Sequence, residues 1–339
     1  MKILLFEYIS GGGLIKEAIP RSLAREGDLM LRALLDDLSE IDKTQLTTMC
    51  DARLEPPPLK AGKADRDLVR VGLTDGFEEL WKAAIRRVDA VWPIAPETGG
   101  VLEKLCREVR ECGKILLNSP AEAVALTAAK FETLSHLNRC GIDVVPTLRL
   151  ADFRDQFSGP WVVKPNDGAG CEGTRMVRNQ RQLSRLQATP QAKDLIIQPF
   201  LEGDAMSLSG LFKQGNALLL SCNRQHIDIK YDYFSLSGCT VNIMPVGDEG
   251  CSNLARAIAR AIPALFGYAG VDLILVGGRP MVLEINPRLT TSYAGLSKAL
   301  NRNVAAMVVD LLPPSSRLPG SIRNAGFEID IKVGATDGA

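Results

Sequence analysis

Oxygen-bearing side chains gather on one face of a hairpin predicted over residues 271–286. A three-residue turn at 277–279 would place Asp272 directly opposite Glu284, because antiparallel partners are counted outward from the turn. Asn286, two residues farther along its strand, points to the same face. Carboxylate and amide oxygens are the hard ligands that Mg²⁺ prefers, so these three side chains are candidate metal ligands.

The same register predicts which side chains of the hairpin face the core. It pairs Val276 with Pro280 and turns three apolar residues to the opposite face: Leu273, Leu283 and Ile285. Two opposed carboxylates repel each other unless a cation lies between them, although a hairpin with two solvated charges explains the pattern nearly as well. The adjoining Pro287-Arg288 favours the metal site, since a cation beside a metal cluster suits a bound phosphate.

A lysine followed by a glycine-rich loop forms a second candidate site. The predicted strand 161–164 ends in Lys164, and the loop 167–174 contains three glycines, at 168, 170 and 173. Such a loop lets backbone N–H groups approach phosphate oxygens, while lysine supplies a point charge. The order of residues matches neither a Walker A loop nor a dinucleotide-binding fingerprint. Taken alone, a glycine-rich turn with a surface lysine is the better interpretation.

A third segment, residues 196–204, runs from an apolar strand into a polar edge. Gln198 could meet an adenine amino group, the backbone of Phe200 and Leu201 could meet the ring edge, and Asp204 could accept from a ribose hydroxyl. A strand, a turn and a surface acid would give the same pattern. Gly11-Gly12-Gly13 after the first predicted strand indicates a tight turn, because Lys16 stands where a dinucleotide fingerprint needs glycine.

Composition excludes several classes of function. The 339 residues carry 40 Lys and Arg against 40 Asp and Glu, so nucleic acid and anionic membranes are not expected as partners. Eight cysteines without a CxxC pair, and only two histidines, exclude a zinc site of ordinary spacing. No apolar run is long enough for a membrane span, and the N-terminus lacks the features of a signal peptide, so a cytoplasmic protein is expected.

Strand and helix patterns predict an α/β region followed by an α+β region. Apolar periodicity alternates between strand and helix up to residue 118, which indicates an open, mostly parallel sheet. Ser119 is predicted to cap a helix with Pro120 at its first position, and Thr127 to cap a second helix that carries Lys130 in its first turn. After residue 204 hairpins dominate, and a helix is predicted over 296–311.

In this order the motifs resemble the ATP-grasp superfamily. The resemblance covers roughly residues 90 to 300, and the motifs that carry it are Asn118-Ser119-Pro120, Lys130, Gly141-Ile142, Val145-Pro146-Thr147, Val163-Lys164-Pro165, Asp167-Gly168-Ala169-Gly170, the segment 196–207, Gly270-Val271-Asp272 and Leu283-Glu284-Ile285-Asn286-Pro287-Arg288. It implies a pre-ATP-grasp domain at 1–118, an ATP-grasp domain at 119–312 and a tail at 313–339. The ATP-grasp domain would consist of a lysine- and glycine-loop lobe (119–200) and a metal-binding lobe (201–312).

The resemblance also implies roles for individual residues. Lys130 and Lys164 would hold the phosphates of ATP, and Arg288 would stabilise the transferred phosphoryl group beside Lys164. The implied ATP-binding residues are Lys130, Lys164, Asp167, Gly168, Ala169, Gly170, Gln198, Phe200, Leu201 and Asp204. The implied metal ligands are Asp272, Glu284 and Asn286, with Mg²⁺ as the metal and Mn²⁺ as a substitute.

Further short segments resemble the tyramine–glutamate ligases of methanofuran biosynthesis: Leu5-Phe6-Glu7-Tyr8, Ala95-Pro96-Glu97-Thr98, Asn223-Arg224-Gln225 and the run from Asn286 to Ser292. The function implied is an ATP- and Mg²⁺-dependent ligase that joins a small-molecule carboxylate to an amine through an acyl phosphate. Arg224 is then a candidate for holding the substrate carboxylate. A phosphotransferase on the same scaffold and a non-catalytic ATP-binding module are the alternatives, and the oligomeric state is left open.

Overall fold

Two sheets make up the structure: a parallel sheet of five strands, and after it an antiparallel sheet of ten strands. The computed structural model describes residues 1–57, 65–244, 249–314, 318–320 and 326–333. Part of the loop predicted at 56–62 and most of the tail predicted at 313–339 lie outside these residues. The change from parallel to antiparallel pairing confirms the predicted fold class, α/β followed by α+β.

The first sheet has the strand order β3-β2-β1-β4-β5. Its strands and helices are β1 (Lys2–Glu7), α1 (Arg21–Ser39), β2 (Gln45–Asp51), β3 (Asp65–Val71), α2 (Phe77–Arg86), β4 (Ala90–Ile94), α3 (Val101–Glu111) and β5 (Ile115–Leu116). Strand β1 is apolar and buried over Ile3–Phe6, as expected for a parallel strand covered on both faces. The glycine run 11–13 forms turns after β1, as predicted.

The second sheet and its helices follow. Their bounds are α4 (Ala121–Ala128), α5 (Lys130–Arg139), β6 (Leu148–Arg149), β7 (Trp161–Pro165), β8 (Arg175–Val177), α6 (Gln180–Gln187), β9 (Leu195–Pro199), β10 (Asp204–Lys213), β11 (Asn216–Lys230), β12 (Tyr233–Met244), α7 (Glu249–Ala261), β13 (Gly267–Val276), β14 (Arg279–Asn286), α8 (Tyr293–Leu300), α9 (Val304–Val309) and β15 (Ile329–Lys332). The strand order is β14-β13-β10-β11-β12-β8-β7-β9-β6, and β15 pairs with β12.

Several local predictions were wrong. Ser119 does not cap α4, because its hydroxyl exchanges hydrogen bonds with the backbone of Phe266 at 3.1–3.2 Å. Thr127 lies inside α4, where its hydroxyl donates to the Ala123 carbonyl at 2.9 Å. The helix predicted over 296–311 is interrupted at Asn301, which has a positive φ of 50° and ends α8. Ser119 thus bonds to a residue remote in sequence and Thr127 to the preceding turn of its own helix, so neither side chain acts as a cap.

Helices α8 and α9 join the two sheets into one core. Leu34 and Leu38 of α1 belong to the same buried cluster as Tyr293 and Leu296 of α8. At its edge the buried carboxylate of Asp37 accepts hydrogen bonds from the Tyr293 and Ser297 hydroxyls at 2.7 and 2.5 Å. The N-terminal sheet is therefore held firmly against the sheet that carries the hairpin. Within the described ranges, we find no helix with the length and apolarity needed to cross a bilayer.

Candidate active site

A cavity of about 550 Å³, here called the main cleft, collects most of the predicted site residues. Those that line it are Lys130, Lys164, Gly168, Gln198, Phe200, Leu201, Asp204, Arg224, Asp272 and Glu284. Strands β7 and β14 are far apart in the order of the sheet, yet Lys164 and Glu284 line this one cavity. The sheet must therefore curve around the cleft, which brings cationic and anionic groups face to face.

The hairpin that carries the carboxylates differs from its predicted register. Val276 pairs with Arg279, so the turn has two residues, Gly277 and Gly278, with φ of 57° and 83°. Two successive positive φ values suit a tight hairpin turn and favour glycine at both positions. The predicted pairing of Val276 with Pro280 across a three-residue turn was therefore wrong.

A β-bulge nevertheless restores the pairing of Asp272 with Glu284. Leu273 pairs with Val282 and Asp272 with Glu284, which leaves Leu283 as the extra residue of β14. Leu283 consequently lines the main cleft beside Glu284, while Val282 is completely buried in the core. The prediction that Leu283 faces the core was wrong, because a bulge reverses the alternation of side chains along the strand.

Hydrogen bonds fix the carboxylate pair. Asp272 accepts from Gln225 Nε2 at 2.9 Å and from Asn286 Nδ2 at 3.1 Å. Glu284 Oε2 lies 3.2 Å from Lys130 Nζ, and both of these side chains are largely buried. Charges this well shielded from solvent interact more strongly than a surface pair would.

The two carboxyl groups differ in their affinity for protons. Burial, together with the nearby Glu284 carboxylate, raises the pKa of Asp272 to about 8. Burial acts in the same direction on Glu284, but the ammonium groups of Lys130 and Lys164 hold the pKa of Glu284 at about 2. A divalent cation would relieve the repulsion between the two carboxyl groups, because both of them and the Asn286 amide lie on one face. The residues present therefore fit a hard divalent metal.

Lys130 is placed by a residue remote in sequence. Its backbone N–H donates to the Asn166 carbonyl at 2.9 Å, and the Phe131 N–H donates to Asn166 Oδ1 at 2.8 Å. Asn166 thus caps α5 from the loop after β7, a role that sequence had assigned to Thr127. The Lys130 ammonium group also donates to the Gly168 carbonyl. Lys164 is buried at the end of β7, and burial lowers its pKa.

The opposite wall of the main cleft contains the segment predicted to bind adenosine. Gln198 Nε2 donates to Thr147 Oγ1 at 2.8 Å, which orients the Gln198 amide. The Phe200 N–H donates to the Pro160 carbonyl at 2.9 Å, so this N–H is already used within the protein. Asp204 and Arg224 line the cleft as exposed side chains.

Part of the glycine loop turns toward the N-terminal sheet. The Asp167 carboxylate accepts from the Gly99 N–H at 3.2 Å, and the Asp167 carbonyl accepts from the Thr98 hydroxyl at 3.1 Å. Ala169 and Gly170 line a small pocket against α1 instead of the main cleft. Gly168 alone of the four predicted residues 167–170 lines the main cleft.

A smaller cavity of about 90 Å³, here called the inner pocket, opens on the far side of the carboxylate pair. Asp272 and Glu284 line both cavities. Asn286 and Arg288 line the inner pocket and do not line the main cleft. Its other polar groups include Glu26 of α1 and the hydroxyl side chains Ser207, Thr290, Thr291 and Ser292. The carboxylate pair therefore lies between a large cleft and a small pocket that contains Arg288.

Sequence reasoning did not assign roles to several residues of this region. These are Glu26, Glu97, Asn166, Cys171 and Gln225. Glu97 and Gln225 occur in segments that resemble the tyramine–glutamate ligases, and this resemblance was the one indication in the sequence that they matter. Nothing in the local pattern distinguishes Glu26 from the other charged residues of α1.

Comparison with known proteins matches the same regions. A family model described as an ATP-grasp domain matches residues 127–292, and one described as a pre ATP-grasp 3 domain matches residues 44–124. The chain is 28% identical over 298 residues to tyramine–L-glutamate ligase of Methanocaldococcus fervens, covering 87% of this chain and 89% of that protein. The corresponding ligase of Methanocaldococcus jannaschii is 26% identical over 309 residues, covering 91% and 88%.

A solved structure gives the same fold. The crystal structure of an Archaeoglobus fulgidus protein assigned to the ATP-grasp superfamily has a TM-score of 0.69 against this chain. The two are 24% identical, and the match covers 91% of this chain and 88% of the other.

Proposed function

The chain belongs to the ATP-grasp superfamily, and we propose that it is a ligase that uses ATP and Mg²⁺ to join a carboxylate to an amine. One observation carries the proposal: two buried lysines and a half-buried carboxylate pair line one cleft. Lysines suit the phosphates of a nucleotide, and the carboxylates suit the metal that accompanies them. The ion pair with Glu284 accounts for Lys130, and Lys164 adds a second buried cation at the same cleft, which an anionic ligand would neutralise.

The nucleotide would lie along the main cleft. The amide N–H of Gln198 donates to Thr147 Oγ1, which leaves the amide oxygen of Gln198 as the acceptor for an adenine amino group. Asp204 would accept from a ribose hydroxyl at the cleft opening. Lys130 and Lys164 would hold phosphate oxygens near Gly168, and a volume of about 550 Å³ is adequate for a nucleotide.

The metal would be held by Asp272, Glu284 and Asn286, and when bound it would neutralise charge on the β- and γ-phosphates. This chain's own residues would do the rest. Gln225 keeps the Asp272 carboxylate oriented, and Lys130 does the same for Glu284. Arg288 would bind the phosphoryl group as it passes from the nucleotide to the substrate in the inner pocket.

The reaction would proceed by two displacements. The substrate carboxylate attacks the γ-phosphorus of ATP, the bond to the bridging oxygen breaks, and ADP and an acyl phosphate form. The amine then attacks the acyl carbon, losing a proton, and inorganic phosphate leaves with the amide formed. Positioning and charge stabilisation account for catalysis in this scheme, and no side-chain nucleophile is required.

Glutamate and tyramine are the substrates we propose, as in methanofuran biosynthesis. The support is the similarity over about nine-tenths of this chain to proteins named tyramine–L-glutamate ligase. The polar groups of the inner pocket, Arg288 and four hydroxyl side chains, suit an amino acid that carries a carboxylate. Arg224, exposed at the cleft, would contact the second carboxylate of the substrate.

The test is release of ADP by purified protein with Mg-ATP. We expect release to require both glutamate and tyramine and the amide to appear by mass spectrometry in equal amount. Other carboxylates and amines are screened beside this pair. A phosphorylated product that persists without an amine would identify a phosphotransferase instead, and nucleotide binding without turnover by any pair would refute the ligase.

A further inference from the structure

Arg288 is held by an acidic residue from the N-terminal sheet. Glu97 follows β4, and its Oε2 atom accepts from Arg288 Nη2 at 2.9 Å across 191 residues of sequence. Arg288 Nη1 donates to the Leu289 carbonyl at 3.0 Å. Two different nitrogens of the guanidinium are therefore fixed, which sets its plane as well as its position.

The pair is buried and incompletely satisfied. The side chains of Arg288 and Glu97 are only 11% and 6% exposed. Among the described residues, Arg288 Nε and Glu97 Oε1 are buried without a hydrogen-bond partner. Unpaired buried polar atoms cost stability, so this pair, whose arginine lines the inner pocket, is retained for a reason other than stability.

We infer that Glu97 is a positioning residue that aims Arg288 at the phosphoryl group being transferred. This rests on the proposed function. The N-terminal sheet then contributes directly to the reaction although it holds none of the predicted nucleotide or metal contacts. A long arginine side chain would otherwise lose much of its effect to rotational freedom, and a misplacement of about 1 Å can cost roughly 100-fold in rate.

The residues next to Glu97 also connect the N-terminal sheet to the site. Thr98 and Gly99 directly follow Glu97 and hold the Asp167 end of the glycine loop. One short segment of the N-terminal sheet thus contacts both the loop over the phosphates and the arginine beyond the carboxylate pair. Glu26 and Glu284 add negative charge around Arg288, and with Glu97 they raise its pKa although burial opposes its charge.

A double-mutant cycle tests the inference. The proteins are wild type, Glu97→Gln, Arg288→Ala and the double variant, with Glu111→Gln as the control. Glu111 is an exposed acid on the helix that follows Glu97, so its substitution changes charge without touching Arg288. Glu97→Gln keeps the shape of the side chain and one acceptor, so it avoids the unfolding that Glu97→Ala could cause.

We expect Glu97→Gln to lower kcat roughly 10-fold and Arg288→Ala roughly 1,000-fold, with the KM for Mg-ATP within about threefold of wild type. The double variant should be no slower than Arg288→Ala, because Glu97 acts only through Arg288. Glu111→Gln should match wild type. Urea unfolding of the four proteins of the cycle should show the same lack of additivity without any substrate.

The outcomes separate the two proposals. If the double variant loses kcat by the product of the two single losses, Glu97 does not act through Arg288. That result in an active enzyme would overturn the positioning role and leave the ligase assignment intact. A raised KM with unchanged kcat in Glu97→Gln would also overturn it, because that result indicates ground-state binding. A wild type that releases no ADP with any carboxylate and amine would contradict the proposed function itself.

Discussion

Substitution of Glu284 by glutamine removes one charge from the carboxylate pair and keeps the size of the side chain. In the structure Glu284 Oε2 lies 3.2 Å from Lys130 Nζ, and the two side chains are 18% and 8% exposed. At an effective dielectric constant of about 20, that distance corresponds to about 5 kcal/mol of attraction. Two effects offset part of this loss, because Asp272 remains beside the lysines and the desolvation cost of one carboxylate is removed. We therefore expect the free energy of unfolding to fall by about 3 kcal/mol.

The activity of Glu284→Gln should fall much further than its stability. If Glu284 holds the metal against the β- and γ-phosphates, we expect kcat for ADP release to fall roughly 1,000-fold. Mg-ATP should also stabilise the variant less than it stabilises wild type, because a ligand stabilises only a folded state that binds it.

A matched control is available in Asp143, which forms an ion pair with the strand that carries Glu284. Asp143 pairs with Arg279 of β14 at 2.5 Å, but these side chains are 44% and 67% exposed and lie outside both cavities. Asp143→Asn should therefore lower the free energy of unfolding by less than about 1 kcal/mol and leave ADP release unchanged. The measurements are urea unfolding with and without Mg-ATP and the ADP-release assay. A Glu284→Gln variant that behaves like Asp143→Asn in both would refute the metal assignment.

Three further predictions follow from buried groups. Lys164→Met should lower ADP release at least roughly 100-fold while urea unfolding shows equal or greater stability, because Lys164 is a desolvated cation; a large loss of stability would contradict this. Gly27→Ala should destabilise the protein by about 1–3 kcal/mol, since the new Cβ would lie 2.5 Å from Glu7 Cδ; a gain of up to about 1 kcal/mol in urea would show that helix propensity dominates. Burial raises the pKa of Glu7 to about 7. Protonated Glu7 therefore stabilises the folded state fully below pH 4.5, and this stabilisation is lost as the pH rises through 7. Relative to Glu7→Gln, wild type should lose roughly 3 kcal/mol between pH 4.5 and 7.5 in urea titrations, and a flat difference would exclude the shift.

The sequence by itself determined the fold class, and it pointed to ten of the residues that line the main cleft. Buried parallel strands carry continuous apolar runs and hairpins carry turn residues, so the change from α/β to α+β is visible in periodicity alone. Several of the predicted residues that line the main cleft, such as Lys164, Gly168 and Asp204, are polar or glycine positions at or beside strand ends, and local pattern marks such positions well.

Only the tertiary structure decided the register of the hairpin and the partners of its charges. A β-bulge is set by packing on both faces of the sheet, so periodicity could not reveal that Leu283 turns into the cleft while Val282 enters the core. Asn166 caps α5 across 35 residues, and Glu97 meets Arg288 across 191. Contacts of this range depend on how the two sheets pack, because local sequence encodes spacing along the chain and not proximity across it.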